Sequence, residues 1–166
     1  MTTFSWHKLT AAVAAAAFAA ALAGTTLAQT TAHSHDAAAP HKLTLDQGRK
    51  WATDEALRNG MVLIRGLVEP RLSDAHGGKL DAAQYRDLAS QVETKVGTIV
   101  ANCKLEPRAD AMLHLVIADL LEGTDAMSGK NAKLRPAQGL AMVVVAINEY
   151  SGHFDHPGFK PIRNVH

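Results

Sequence analysis

Met61, Cys103, His114, His153 and His156 are the side chains in this sequence best suited to hold a soft metal ion. One thiolate, the His114 imidazole with that of either His153 or His156, and a weak thioether make a donor set that favours copper, because sulfur ligands match its softness and neutral imidazole is the commonest metal ligand. Zinc accepts cysteine and histidine but gains little from methionine. Cys103 is the single cysteine, so the chain forms no intramolecular disulfide, and a metal-held thiolate would explain an unpaired cysteine in an oxidising compartment. Each residue also has a plainer reading. Met61 fills a core gap, Cys103 is a small buried hydrophobe, and His114 bonds a backbone carbonyl or Asp110 one turn earlier. The stretch His153-Phe154-Asp155-His156-Pro157-Gly158 is then a turn that caps the fold.

The elements that must position these residues are helices. Leu45 to Trp51 reads as a short helical lead-in, and Thr53 as the N-cap of a first helix entering with Asp54 and Glu55, acids that suit the positive end of the helix dipole. Leu57, Met61, Ile64, Val68 and Leu72 recur at helical spacing, Pro70 kinks or ends that helix, and Gly77-Gly78 breaks the chain beyond it. A second helix starts at Asp81, with Gln84 as its capping-box partner. Its stripe of Tyr85, Leu88, Val92, Val96 and Ile99 leads to Cys103. Pro107 opens a third helix, apolar almost all round from Met112 to Leu121, with Gly123 as its terminator. Pro136 opens a fourth, carrying Leu140, Val143, Val144, Ile147 and Tyr150, which Gly152 closes. Helices over 54–75, 81–103, 107–122 and 136–151 with mostly short links predict an all-α, antiparallel up-down-up-down four-helix bundle. In that topology all five candidate ligands share one end, with axial offsets on the order of 10 Å or less at ~1.5 Å per helical residue.

Ahead of this domain, Leu9 to Ala23 is an apolar, alanine-rich run behind Lys8, shorter than the ~20 residues that span a bilayer. Residues 1–28 therefore read as a cleavable signal peptide, cut after Thr26-Leu27-Ala28 or at Ala21-Leu22-Ala23, with an uncleaved membrane anchor as the alternative. The expected location is periplasmic or secreted. Residues 29–42 read as a disordered leader, in which His33, His35 and His41 are either a weak copper or zinc chelator or simply a solvated tail. Residues 43–166 form the folded domain. Cleavage removes one of 17 basic residues and none of the 16 acidic ones, so the product is balanced in charge and nothing points to nucleic acid or an anionic membrane surface as partner.

Four stretches resemble a family of small exported proteobacterial helical proteins: Lys50-Trp51-Ala52-Thr53-Asp54-Glu55 with Gly60-Met61, Val100-Ala101-Asn102-Cys103-Lys104-Leu105, Ala109-Asp110 with His114, and Phe154-Asp155-His156-Pro157-Gly158. The resemblance covers most of the mature domain and implies an exported helical fold without an activity. The architecture is also similar to that of the periplasmic four-helix cytochrome b proteins, which implies haem between Met61 and His153, with Cys103 as a departure. No Cys-x-x-Cys-His motif for covalent haem occurs.

Function is thus expected to be metal binding, copper before zinc, in a carrier, sensor or electron-transfer protein. The alternatives are a metal-free structural or interaction bundle with a buried cysteine, whose partner is another periplasmic protein, and a bundle that binds haem non-covalently. The sequence lacks a Ser-His-Asp ordering, a phosphate-cradling glycine loop and a paired-carboxylate motif, so an enzyme ranks last.

Overall fold

The computed structural model describes residues 42–163, which lie within one compact unit, Asp36–His166. The signal-peptide reading of residues 1–28 and nearly all of the leader, with His33, His35 and His41, fall outside the described residues.

The described chain is all-helical. Helix α1 is Glu55–Val68, followed by a 3-10 turn at Glu69–Arg71 and the short α2, Leu72–His76. Three long helices come next: α3 Ala82–Asn102, α4 Pro107–Ser128 and α5 Pro136–His153. Among the described residues β pairing is limited to two isolated bridges, Asp46 with Arg49 and Trp51 with Phe154. Each long helix packs most closely on the next along the chain, α1 on α3, α3 on α4 and α4 on α5.

The apolar stripes fall where their spacing puts them. Leu57, Met61, Ile64, Val68 and Leu72 are buried, as are Tyr85, Leu88, Val92, Val96 and Ile99, and Leu140, Val143, Val144, Ile147 and Tyr150. Full burial of one large aliphatic side chain contributes roughly 1.5–3 kcal/mol, so these stripes supply most of the force that joins the helices. The capping box at Asp81 is formed: its carboxylate accepts from the Gln84 amide at 2.8 Å, and the Gln84 side chain accepts from the Asp81 amide at 2.9 Å.

Four boundaries differ from the sequence reading, each for a local reason. Residues 45–51 are not helical: Gln47 and Gly48 take positive φ, and Asp46 and Arg49 exchange both backbone hydrogen bonds across that tight turn. The N-cap of α1 is Asp54, whose carboxylate accepts from the Leu57 amide, rather than Thr53. The interruption of the first helix at Glu69–Arg71, by contrast, is the one the sequence expects, because Pro70 has no amide proton to continue the ladder. Most consequentially, α4 runs past Gly123 to Ser128 and ends at Gly129, which adopts a left-handed φ of 82°. Gly123 lies buried inside the helix, where its missing side chain serves packing rather than termination. Gly152 likewise lies within α5.

Candidate functional site

The N-terminal approach to α1 is fastened to the exit of α5. The Trp51 amide donates to the His153 carbonyl at 2.8 Å, and the Asp155 amide donates back to the Trp51 carbonyl at 2.8 Å. Beside this bridge the Thr53 hydroxyl donates to the Asp155 carbonyl at 2.6 Å, and Lys50 Nζ to the Ser151 carbonyl at 2.7 Å. Trp51 is buried, its indole N–H donates to the Thr44 carbonyl at 2.6 Å, and the Arg108 guanidinium from α4 lies 5.3 Å over its ring. Backbone groups that no helix can satisfy are thereby paired across two segments distant in sequence.

Asp54 joins α3 to the same cluster. One carboxylate oxygen caps α1 and the other accepts from the Lys104 amide at 2.5 Å, just beyond the end of α3. Burial alone would raise this carboxyl, but the Lys104 and Leu57 amides, the Cys103 thiol and Arg58 together hold it below the usual carboxylate range. Arg58 also donates to the Thr53 carbonyl at 2.7 Å.

Cys103 is the C-cap residue of α3 and is half-buried beside Asp54. Burial pushes its thiol up to about 12, reinforced by the charge of Asp54, by a hydrogen bond to that carboxylate and by Asp110. The cysteine is therefore a neutral thiol at ordinary pH, the opposite of the activated state that nucleophilic and redox cysteines show. Tyr150, fully enclosed and stacked on Phe154 at 5.2 Å between ring centroids, completes the cluster. Its phenol is raised above the ordinary value by burial, so it keeps its proton, and the hydroxyl is hydrogen-bonded to His156 Nδ1 at 2.9 Å. His156 is held below its ordinary value by burial and by the Arg58 charge.

The five side chains expected as ligands sit in different surroundings. Cys103 and His156 belong to this cluster, the first against Asp54 and the second against Tyr150. Met61 has no exposed surface and forms part of the core. His114 stands on the outside of α4 with 62% of its side chain exposed, and its Nδ1–H donates to the Asp110 carbonyl at 2.9 Å. His153 repeats that arrangement on α5, donating to the Glu149 carbonyl at 2.8 Å with the Glu149 carboxylate 3.2 Å away. Among the described residues no three His, Cys, Asp or Glu side chains gather closely enough to hold a metal ion.

Sequence reasoning passes over the residues that build the cluster, Trp51, Asp54, Arg58 and Tyr150. It is the fold that makes Lys50–Glu55 and Phe154–Gly158 neighbours and brings the stretch around Cys103 to them through Lys104. Compared with known proteins, the chain matches no family model, no curated protein and no solved structure.

Proposed function

We propose that the chain is an exported, non-enzymatic helical bundle that works by binding at its surface, with Cys103 as a structural thiol. The carrying observation is the state of Cys103: it is half-buried and raised to about 12 by burial and by the Asp54 and Asp110 carboxylates, with no positive charge among the groups that shift it, which is the opposite of what stabilises a thiolate. The bundle is read as antiparallel and up-down-up-down. Short links at 103–106 and 129–135, packing between consecutive helices, and the Trp51–Phe154 bridge between the start of α1 and the end of α5 support that topology. The signal-peptide pattern of residues 1–28 supports a periplasmic or secreted location, and another protein of that compartment fits as the partner.

A second reading, copper binding through Cys103, His114, Met61, His153 and His156 with zinc or haem in its place, draws support from one observation. His114 and His153 both commit Nδ1–H to a backbone carbonyl, which leaves Nε2 with a free lone pair in the manner of metal-bound histidines. It requires the enclosed Met61 to be uncovered and the Cys103 proton to be displaced.

One experiment separates the two. Purified protein is loaded with Cu(I), Cu(II) or Zn(II), or with haem, then desalted and examined by elemental analysis and absorption. The structural-thiol reading expects no stoichiometric metal and no thiolate-to-copper or Soret band, with Cys103 alkylation slow at neutral pH and accelerating only in strong alkali. One metal ion retained per chain, and lost in Cys103→Ser, overturns it in favour of copper or zinc.

A further inference from the structure

Beyond α5 the chain runs back along α1 as a strap, residues 157–163, fixed by a reciprocal pair in which Asn148 Nδ2 donates to the Ile162 carbonyl at 3.1 Å and the Ile162 amide donates to Asn148 Oδ1 at 2.7 Å. Between strap and helix lies a cleft of about 300 Å³ walled by Val62, Arg65, His156, Phe159 and Lys160. A second hollow of about 340 Å³ shares Arg65 and Lys160 with it and adds Glu69 and Arg163. Three cations therefore surround the joined clefts against one carboxylate. Among the described residues, Lys160 and Arg163 have no ion-pair partner, whereas Arg65 Nη2 donates to Glu69 at 2.7 Å. Arg65 Nε is shut off from solvent with no acceptor.

From this geometry we infer that the strap cleft binds a small organic carboxylate whose body is apolar. A guanidinium presents paired donors on a planar edge that matches a carboxylate. Glu69 already occupies part of it, and the orphaned Nε–H is a buried donor whose desolvation nothing compensates. A modest turn of the Arg65 side chain toward the cleft offers that donor to an incoming carboxylate. Val62, half exposed at 51%, and Phe159 supply apolar walls for the rest of the ligand. His156, hydrogen-bonded to Tyr150 through Nδ1, adds a polar imidazole to the lining. The strap is anchored by Asn148, so the walls are in place before the ligand arrives, which limits the ordering cost of binding. The volume suits a ligand at the small end of ordinary binding sites. The site goes beyond the surface-binding function proposed above and does not depend on whether Cys103 holds a metal.

The test is calorimetric titration of chelator-treated full-length protein with 3-phenylpropionate, its neutral amide 3-phenylpropionamide, and phenyl phosphate, at two salt concentrations. The expected result is saturable binding of the carboxylate that weakens with salt, with the amide about tenfold weaker or worse because it forfeits the charge-assisted bonds. Arg65→Gln is expected to weaken the carboxylate about tenfold and Lys160→Gln about threefold, the latter being a point charge rather than a fork. If Arg65→Gln fails to fold, as judged by circular dichroism, the charge reversal Lys160→Glu takes its place with an expected tenfold loss. Absence of saturation at millimolar ligand, equal affinity for the amide, or affinity unchanged in the substituted proteins overturns the assignment. Tighter binding of phenyl phosphate overturns the choice of carboxylate.

Discussion

The two ends of the helical domain are held together by different physics. Where α4 turns into α5, the helices touch backbone to backbone: a Cβ on Gly139 would stand 2.5 Å from the Gly123 carbonyl oxygen and 2.6 Å from the Met127 nitrogen. Where α1 begins and α5 ends, hydrogen bonds across the chain add to the packing, between Trp51 and both His153 and Asp155, between Asp54 and Lys104 and between Tyr150 and His156. Glycine contact tolerates no added atom but is indifferent to pH. The strength of the polar end depends in addition on which groups are charged. Chemistry therefore concentrates at the polar end, and rigidity comes from the other.

The largest expected effect comes from the packed end. Gly139→Ala forces a methyl group into backbone atoms that cannot swing aside, so it should cost about 3 kcal/mol, at the upper part of the range for overpacking. For a domain of this size the melting temperature should fall by roughly 10 °C. Gly152→Ala in the same helix meets nothing within 4 Å and should instead stabilise slightly, by up to ~1 kcal/mol, through helix propensity. Thermal melts of both proteins decide the matter. A Gly139→Ala melting point within about 2 °C of the original would show that the close approach is not a constraint.

Much of the fold is legible in the sequence because burial of a helix face leaves a periodic mark. The stripes from Leu57 to Leu72 and from Tyr85 to Ile99 are core in the structure, and the Asp81–Gln84 capping box forms as its spacing requires. Gly123 misleads because a glycine that ends a helix and a glycine that admits a neighbouring helix look alike in one dimension, and the difference resides in Gly139, which is distant in sequence. The candidate site is less legible still. Its organising residues, Asp54 and Trp51, act through backbone groups of Lys104, His153 and Asp155, and backbone donors and acceptors have no residue type to recognise. Axial position alone groups His114 and His153 with Cys103, although rotation about the helix axis decides what a side chain meets. The structure shows each bonded within its own helix.

An intermediate effect is expected at Asp54, where a single carboxylate both caps α1 and ties down Lys104. Asp54→Ala should cost about 2 kcal/mol, a typical cap loss increased by the stranded Lys104 amide. Asp54→Asn, which keeps an acceptor for the Leu57 amide, should cost less. Because the folded carboxyl lies below its ordinary value of 3.8, its contribution is complete above the unfolded-chain value of about 3.9 and is lost as pH falls through the lower folded value. Stability followed by circular dichroism should therefore decline more steeply with acid below about pH 4 in the wild type than in Asp54→Asn, which lacks that titration. The same substitution takes one carboxylate from Cys103 and should bring its alkylation profile down from about 12, though not to the ordinary thiol value, since burial is the leading cause.

The smallest effect isolates one hydrogen bond. Tyr150→Phe leaves the stacking on Phe154 and the edge contact with Phe159 in place and removes only the hydroxyl that is hydrogen-bonded to His156. The expected loss is about 1 kcal/mol, the net worth of a hydrogen bond plus part of the cost of leaving an imidazole nitrogen without a partner. His156 supplies the companion readout. Burial and Arg58 depress its folded value below the ordinary 6.5, so between those two values the unfolded chain binds more protons than the folded one. Stability is then full above about pH 6.5 and declines as pH falls toward the lowered value. The substitution removes neither burial nor Arg58, so the His156 titration followed by NMR should remain below the ordinary histidine range in Tyr150→Phe. Arg58→Gln, by contrast, should raise it. A wild-type midpoint at or above about 6.5 would mean that the ring is solvated as charged imidazolium, and the polar end would then lack the pH dependence that separates it from the glycine-packed end.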